Sequence, residues 1–218
     1  MKVVVFYMPV QGAAAQALIG HWAGRQDHCD VAGKGRGASR SLAARAALRA
    51  LLWRETGRAD WRLAADVQGK PHVFEGDRPG PAVSLGHGGG WAVAALGPVG
   101  GHLGVDVEPW RPRNLTALAA AAFGPGEQKA VAAGGAAAFY RLWCLREAMG
   151  KATGLGLALA ADCRDHVTDG PEQGWWRQPG WFLGHHRLQT ACSLAVALAP
   201  CGAEAAAPHG ELLGPEAF

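Results

Sequence analysis

The apolar residues of this chain fall into short runs, and glycine or proline separates most runs from the next. Runs of this length, such as Trp91–Leu96 and Leu103–Glu108, predict short buried strands. Two longer apolar-periodic segments, Ser39–Arg54 and Ala136–Thr153, predict helices, and each is followed closely by a glycine that can end it. No run approaches the roughly 18 apolar residues of a membrane span. The pattern therefore predicts an α/β (α+β) chain in one compact domain or two small similar lobes.

Further elements follow from the same pattern. Additional helices are predicted at Ala13–Ala23 and from Leu115 to Ala133, and strands at Met1–Val10, Leu63–Val67, His72–Phe74, Ala82–Leu85, Asp162–Val167, Trp181–Leu188 and Cys192–Leu198. No repeat and no clear linker divides the chain. We place an N-terminal half at 1–99, a C-terminal half at 100–200, and a flexible tail at 201–218, where Ala, Gly, Pro and Glu dominate.

Composition narrows the class of protein. Hydrophobic residues make up 49% of the 218 and charged residues 18%, which excludes disorder over most of the chain. A net charge of +3 is too small to indicate nucleic-acid binding. The 5 cysteines form no Cys-x-x-Cys pair and predict reduced thiols in the cytoplasm. Lys2 and the apolar run after it could imitate a secretion signal, but Pro9 and Gln11 interrupt the run and favour a core strand.

The segment Gly104–Glu108 (GVDVE) contains two acids two residues apart. In a strand, Asp106 and Glu108 project from the same face. Two carboxylates so close repel each other unless a cation lies between them, and a hard divalent ion such as Mg²⁺ prefers such oxygen ligands. The alternative is an exposed strand face with two solvated acids.

The segment Trp143–Lys151 (WCLREAMGK) places Trp143, Glu147 and Lys151 along one helix face, because they are spaced by four residues. Glu147 is a candidate metal ligand or base, and Lys151 a candidate acid or phosphate contact. The alternative is a core tryptophan beside an ordinary Glu–Lys surface pair, which contributes only about 0.2–0.5 kcal/mol.

Three weaker features lie in the first half. They are the turn Gly69–Pro71 (GKP), the glycine-rich segment Val83–Gly88 (VSLGHG), and Arg40 with Ser41 near a predicted helix start. A helix N-terminus with such donors can receive a phosphate. Each feature also has an ordinary interpretation: a solvated lysine, an incidental histidine, or an N-terminal cap.

Together, the five motifs resemble in order and spacing the 4′-phosphopantetheinyl transferases of the surfactin-synthetase type, over about Ser39 to Gly156. That family's pattern is an Arg-Thr/Ser helix start, Gly-Lys-Pro, a Ser-His-Ser turn, Gly-x-Asp-x-Glu, and Trp-x-x-Lys-Glu-Ala-x-x-Lys. The last two motifs are specific, and the first three only support them.

The resemblance implies a pseudo-twofold, two-lobed fold in which each half is a small sheet packed by helices, with the active site between the halves. It implies a magnesium-dependent transfer of the phosphopantetheine arm of coenzyme A (CoA) to a serine of an acyl, peptidyl or polyketide carrier protein, with release of 3′,5′-ADP. It further implies a monomer that acts in fatty-acid or secondary-metabolite biosynthesis, with no nucleic-acid or membrane partner.

The resemblance also assigns roles to single residues. The metal, Mg²⁺ or Mn²⁺ in its place, would be held by Asp106, Glu108 and Glu147. Catalysis would fall to Glu147 as base, Lys151 as the group that neutralises the leaving phosphate, and His87. CoA would be bound by Arg40, Ser41, Lys70, Gly86, His87 and Lys151.

Three positions depart from the family pattern. Gly86 and Gly88 stand where serines are usual beside the histidine, and Arg146 replaces the lysine before Glu147. Backbone N–H groups of a glycine-rich turn can replace lost hydroxyl donors. Gly86 and Gly88 favour one alternative, a non-catalytic CoA- or carrier-binding relative. Two others stay open: a metal-dependent hydrolase of the CoA pyrophosphate, which would use the same acids with water as nucleophile, and a structural protein with fortuitous motifs.

Overall fold

The computed structural model describes residues 2–160, 162–167, 170–189, 191–199 and 209–218. The chain divides into two compact units. Unit 1 comprises Met1–Gly101 with Cys201–Phe218, and unit 2 comprises His102–Pro200. Each unit carries a four-stranded sheet with helices packed against it, which confirms the predicted mixed α/β class.

The main sheet of unit 1 has the order β11-β1-β6-β5. Its strands are β1 (Lys2–Pro9), β5 (Ala82–Gly88), β6 (Trp91–Gly97) and β11 (His209–Leu213). Four consecutive residues of β1, Val3 to Phe6, are buried. Such a continuous apolar run suits a strand that has a neighbour on each side and is covered on both faces.

The helices of unit 1 follow β1 in the chain and pack against this sheet. They are α1 (Ala13–Trp22), α2 (Arg25–Val31), a 3-10 turn (Ala32–Gly37) and α3 (Ala38–Thr56). Small residues of α3, such as Ala43 and Ala47, lie in one apolar cluster with Val4 and Phe6 of β1. A second, three-stranded sheet consists of β2 (Arg62–Ala65), β3 (Pro71–Glu75) and β4 (Arg78–Pro79).

The end of the chain differs from the sequence expectation. Residues 209–213 form β11, which pairs in parallel with β1 and places His209 opposite Lys2. The terminal Phe218 packs on Phe6, with ring centroids 4.5 Å apart. The prediction of a flexible tail is therefore wrong for 209–218, because backbone pairing and apolar contacts hold this segment. Residues 201–208 of the predicted tail lie outside the described residues.

Unit 2 contains an antiparallel sheet in the order β7-β10-β9-β8. Its strands are β7 (His102–Pro109), β8 (Gly174–Gln178), β9 (Trp181–Arg187) and β10 (Cys192–Ala199), and its helices are α4 (Leu115–Ala122), α5 (Pro125–Thr153) and α6 (Leu157–Ala160). The backbone of α5 is non-helical at Gly135, so the two helices predicted here meet there at a kink. From that kink α5 continues across β7 and β10.

One predicted strand of unit 2 is absent. The described residues 162–167 form no strand, although the sequence predicts one at Asp162–Val167. The carboxylate of Asp165 accepts the backbone N–H groups of Gly126 and Glu127 at the start of α5. The buried Glu127 carboxylate in turn accepts the N–H groups of His166 and Val167. The backbone donors that a strand would use are therefore bonded to a helix N-terminus.

Among the helices in the described ranges, none is both long and apolar enough to cross a membrane.

Candidate functional site

The central acid of the site, Asp106, is positioned by close packing of β7 on α5. A Cβ on Gly104 would lie 1.9 Å from the carbonyl oxygen of Ala148 and 2.7 Å from the nitrogen of Ala152. Only glycine therefore allows the strand to approach the helix this closely. Two residues later on the same face, Asp106 meets side chains of α5, and only 6% of its surface is exposed.

Two side chains of α5 bind Asp106. The ammonium of Lys151 lies 2.8 Å from one carboxylate oxygen and also donates to the carbonyl of Val105 at 2.9 Å. The thiol of Cys144 donates to the other carboxylate oxygen at 3.3 Å. Burial, followed by the nearby negative charge of Asp106, raises the pKa of Cys144 well above its usual range, so this group stays a neutral donor.

The Lys151 contact rules out an ordinary Glu–Lys surface pair on this helix face. A surface Glu–Lys pair would join two residues of α5, whereas Lys151 forms its ion pair with Asp106 on a different element. Burial acts to lower the pKa of Lys151, but the charge and hydrogen bond of Asp106 outweigh it and raise the pKa overall. Lys151 is therefore a cation held against buried acids.

Two further carboxylates lie in the electrostatic neighbourhood of Asp106. The pKa of Glu108 is raised to about 7, first by burial and then by the charges of Asp106 and Glu147, while Arg111 and Arg113 oppose the shift. Burial and Asp106 likewise raise the pKa of Glu147, while Lys151 opposes the shift. The three acids predicted from the two motifs thus interact with one another, as expected for carboxylates that share one small region.

The three carboxylates suit a hard divalent cation. Their oxygen atoms are the ligands that such a cation prefers, and the cation would relieve their mutual repulsion. Among the described residues, however, no group of three or more His, Cys, Asp or Glu side chains is arranged to hold a metal ion. In this arrangement the cation bonded to Asp106 is the ammonium of Lys151.

The neighbours of Glu147 on α5 have structural roles. Trp143 stacks on Phe139, with ring centroids 6.0 Å apart, at the edge of the apolar core. Arg146 is fully buried and pairs with Glu127 at 3.0 Å. It also donates to the carbonyls of Ala122, Leu159 and Asp162. The arginine that departs from the family pattern thus holds unit 2 together, so we expect its replacement to change stability rather than nucleotide affinity.

Unit 1 holds the other predicted site residues. Arg40 and Ser41 lie in the first turn and a half of α3, and the N-cap of that helix is Gly37, with no side-chain cap. The capping interpretation of Arg40 and Ser41 is therefore wrong. The hydroxyl of Ser41 lies 3.4 Å from Nε2 of His87, which is exposed on β5. The helix start and the histidine strand, 46 residues apart in sequence, are thus brought together.

Gly86 and Lys70 complete the predicted set. Gly86 is buried within β5 and pairs with Val93 of β6, so it is part of a regular ladder and not of a loose turn. Lys70 lies between β2 and β3 and is half-buried, and burial lowers the pKa of its ammonium. Asp66, whose negative charge opposes that shift, is its neighbour across the turn.

The acids, the lysine and the strand–helix packing all lie within one stretch of the chain that corresponds to a known family. Residues 102–197 match the model of the 4′-phosphopantetheinyl transferase superfamily (ACPS). The match spans almost all of unit 2, including Asp106, Glu108, Glu147 and Lys151. No curated protein matches the chain significantly.

The sequence analysis did not identify two residues of unit 2 that contribute to the candidate site. Cys144 is the second partner of Asp106, and Gly104 allows the contact between β7 and α5. Gly104 lies within the motif Gly104–Glu108, and a glycine inside a predicted strand indicates that another backbone approaches closely. Cys144 had no such signal, since a lone cysteine in a helix is usually an apolar core residue.

Proposed function

We propose that this protein transfers the phosphopantetheine arm of CoA to a serine of a carrier protein, as a transferase of the surfactin-synthetase type. The observation that supports the proposal is the ion pair of Lys151 with the buried Asp106, whose charge also acts on Glu108 and Glu147, all within the matched residues. Buried acids beside a fixed ammonium suit the transfer of a strongly anionic group.

In the proposed reaction, the serine oxygen of the carrier forms a bond to the phosphorus that bears the pantetheine arm. The bond from that phosphorus to the bridging oxygen breaks, and 3′,5′-ADP leaves. Glu147 accepts the serine proton as the general base. Lys151 neutralises the charge that develops on the leaving phosphate.

The donor set suits a bound Mg²⁺ or Mn²⁺ held by Asp106, Glu108 and Glu147. Such an ion would screen the charge of the pyrophosphate and so supply electrostatic stabilisation. Binding there requires Lys151 to share or leave Asp106, which provides a way for the lysine to turn towards a phosphate. The side chain of Lys151 as a whole is one-third exposed, and its ammonium is bonded to Asp106 and to the carbonyl of Val105.

CoA recognition is assigned to residues of unit 1. Arg40 and Ser41 near the start of α3 supply a cation, a hydroxyl and helix N–H groups, which together suit a phosphate. His87, within reach of Ser41, adds a further ring nitrogen that can serve binding and catalysis. Lys70 and the backbone around Gly86 complete the proposed CoA contacts.

The partners proposed are CoA and the apo forms of acyl, peptidyl or polyketide carrier proteins, in fatty-acid or secondary-metabolite biosynthesis. We further propose a monomeric protein that acts in the cytoplasm, without a nucleic-acid or membrane partner.

The products distinguish this function from its alternatives. The protein is incubated with CoA and Mg²⁺, with and without an apo carrier, and the small molecules are separated by chromatography. The transferase releases 3′,5′-ADP only when the carrier is present. Free phosphopantetheine without a carrier would instead indicate a pyrophosphate hydrolase, and CoA that is bound but left intact in both mixtures would indicate a non-catalytic relative.

A further inference from the structure

The turn between β2 and β3 is closed by one carboxylate. Oδ1 of Asp66 accepts the backbone N–H of Gln68 at 3.0 Å and that of Lys70 at 2.8 Å. An aspartate that bonds the backbone of its own turn fixes the turn's shape without help from the rest of the chain. Asp66 thus sets the backbone position of Lys70 directly.

Backbone bonds and a histidine support the same turn. The N–H of Asp66 donates to the carbonyl of Lys70 at 3.0 Å, and the N–H of Gly69 donates to the carbonyl of Asp66 at 2.9 Å. Nε2 of His72 lies 3.0 Å from the second oxygen of Asp66, which holds the first oxygen towards the backbone. Gly69 has φ 83°, a conformation that a residue with a side chain rarely adopts.

Partial burial of Lys70 affects how strongly its ammonium pairs with an anion. The residue is half-buried, and its ammonium is partly removed from water. An ammonium in this state gains more from a phosphate than a fully solvated one, because less hydration is lost when the two pair. The direction of the side chain then depends on the turn that carries it.

We propose that Asp66 is a positioning residue for CoA: its carboxylate closes the turn that presents the Lys70 ammonium to a phosphate of CoA. Asp66 does not touch CoA, and its own negative charge would repel a phosphate. The inference rests on the proposed function, because it requires that Lys70 binds CoA.

The test is a double-mutant cycle on CoA binding, measured by titration calorimetry with the full-length protein. Asp66→Ala weakens CoA binding about tenfold, close to the loss in Lys70→Ala, and leaves the turnover rate at saturating CoA within about twofold. In the double variant the two losses do not add, because Asp66 acts through Lys70. Asp66→Asn keeps a carbonyl oxygen for the two N–H groups and restores most of the binding.

The matched control is Asp77→Ala. Asp77 is exposed in the turn at the other end of β3, so the variant makes the same change of charge in the same small sheet and leaves CoA binding unchanged. Unchanged CoA binding in Asp66→Ala, or a full additional loss on the Lys70→Ala background, overturns the inference while the proposed function stands. Failure of the unaltered protein to bind CoA would overturn the proposed function, and this inference with it.

Discussion

The pairing of Lys151 with Asp106 makes a buried acid tolerable in unit 2. A carboxylate with 9% of its side chain exposed would cost several kcal/mol without a partner. The ammonium at 2.8 Å and the thiol at 3.3 Å together satisfy both of its oxygens. The same pair keeps a cation beside the acids, where the proposed reaction needs it.

Replacing Lys151 by alanine is expected to lower the transfer rate by about 10²–10⁴-fold, the range typical of lost proton-transfer or charge-neutralising groups. Initial rates at saturating CoA and Mg²⁺ measure the effect, with circular dichroism to verify the fold. Lys129→Ala removes an exposed lysine from the same helix and should transfer at the normal rate. Normal transfer by the Lys151 variant would return this residue to the role of a structural ion pair.

His185 is another buried ionisable group of unit 2. Its Nδ1 donates to the carbonyl of Glu172, while its Nε2 has no hydrogen-bond partner. Burial lowers the pKa of His185 to about 4, from 6.5 for an exposed histidine. The folded protein therefore holds this ring neutral where the unfolded chain would protonate it.

This difference predicts a loss of stability in mild acid. The contribution of His185 is fully present above pH 6.5 and is lost as the pH falls towards 4, which amounts to about 2 kcal/mol between pH 7 and pH 5. His185→Asn retains an N–H donor for the carbonyl of Glu172, and its free energy of unfolding should fall less between pH 7 and pH 5. Urea unfolding at each pH measures this free energy. His102→Asn, at an exposed position, should keep the normal profile. Equal slopes in all three proteins would contradict the assignment.

At the scale of elements, the contact between β7 and α5 decides whether the site forms. The strand supplies Asp106 and Glu108, and the helix supplies Glu147 and Lys151. Their separation is set where Gly104 lies against the backbone of the helix. A methyl group on residue 104 would meet backbone atoms of the helix and not a flexible side chain, so the helix itself would have to move.

Gly104→Ala is therefore expected to lower the free energy of unfolding by about 3 kcal/mol and to abolish transfer. Chemical denaturation and the transfer assay measure the two effects. Gly20→Ala is the matched control, because Gly20 lies within α1 with open space around it, and alanine there should stabilise by about 0.5–1 kcal/mol. A fully stable and active Gly104 variant would show that the close approach is not required.

Arg146 links α5 to α4, α6 and the segment after α6. A lysine keeps the positive charge but cannot reach carbonyls on both sides of the planar guanidinium. Arg146→Lys is therefore expected to lose about 2 kcal/mol of stability while its CoA affinity stays unchanged. Thermal unfolding and CoA titration test this, with the exposed Arg177→Lys as control. Weaker CoA binding without a stability loss would contradict this structural role of Arg146.

Across the whole molecule, the sequence predicts best what is encoded locally. Strand alternation placed Asp106 and Glu108 on one face, and helical spacing aligned Glu147 with Lys151. Long-range contacts were not predictable in this way. Pairing of β11 with β1 joins the two ends of the chain, and Asp165 is bonded to the start of α5 nearly 40 residues away. The short helix α2 was not predicted, because its buried Asp27 forms an ion pair with Arg49 of α3 and local sequence does not reveal such a contact.

The most direct test of the proposed function is the intact mass of an apo carrier protein after incubation with this protein, CoA and Mg²⁺. The account predicts a gain equal to one phosphopantetheine group on at least one member of a panel of fatty-acid, polyketide and peptide carriers. The gain should disappear in excess chelator and with Glu147→Gln, and it should persist with the exposed Glu75→Gln. Unmodified carriers throughout the panel, in a mixture where a known transferase modifies them, would contradict the central claim.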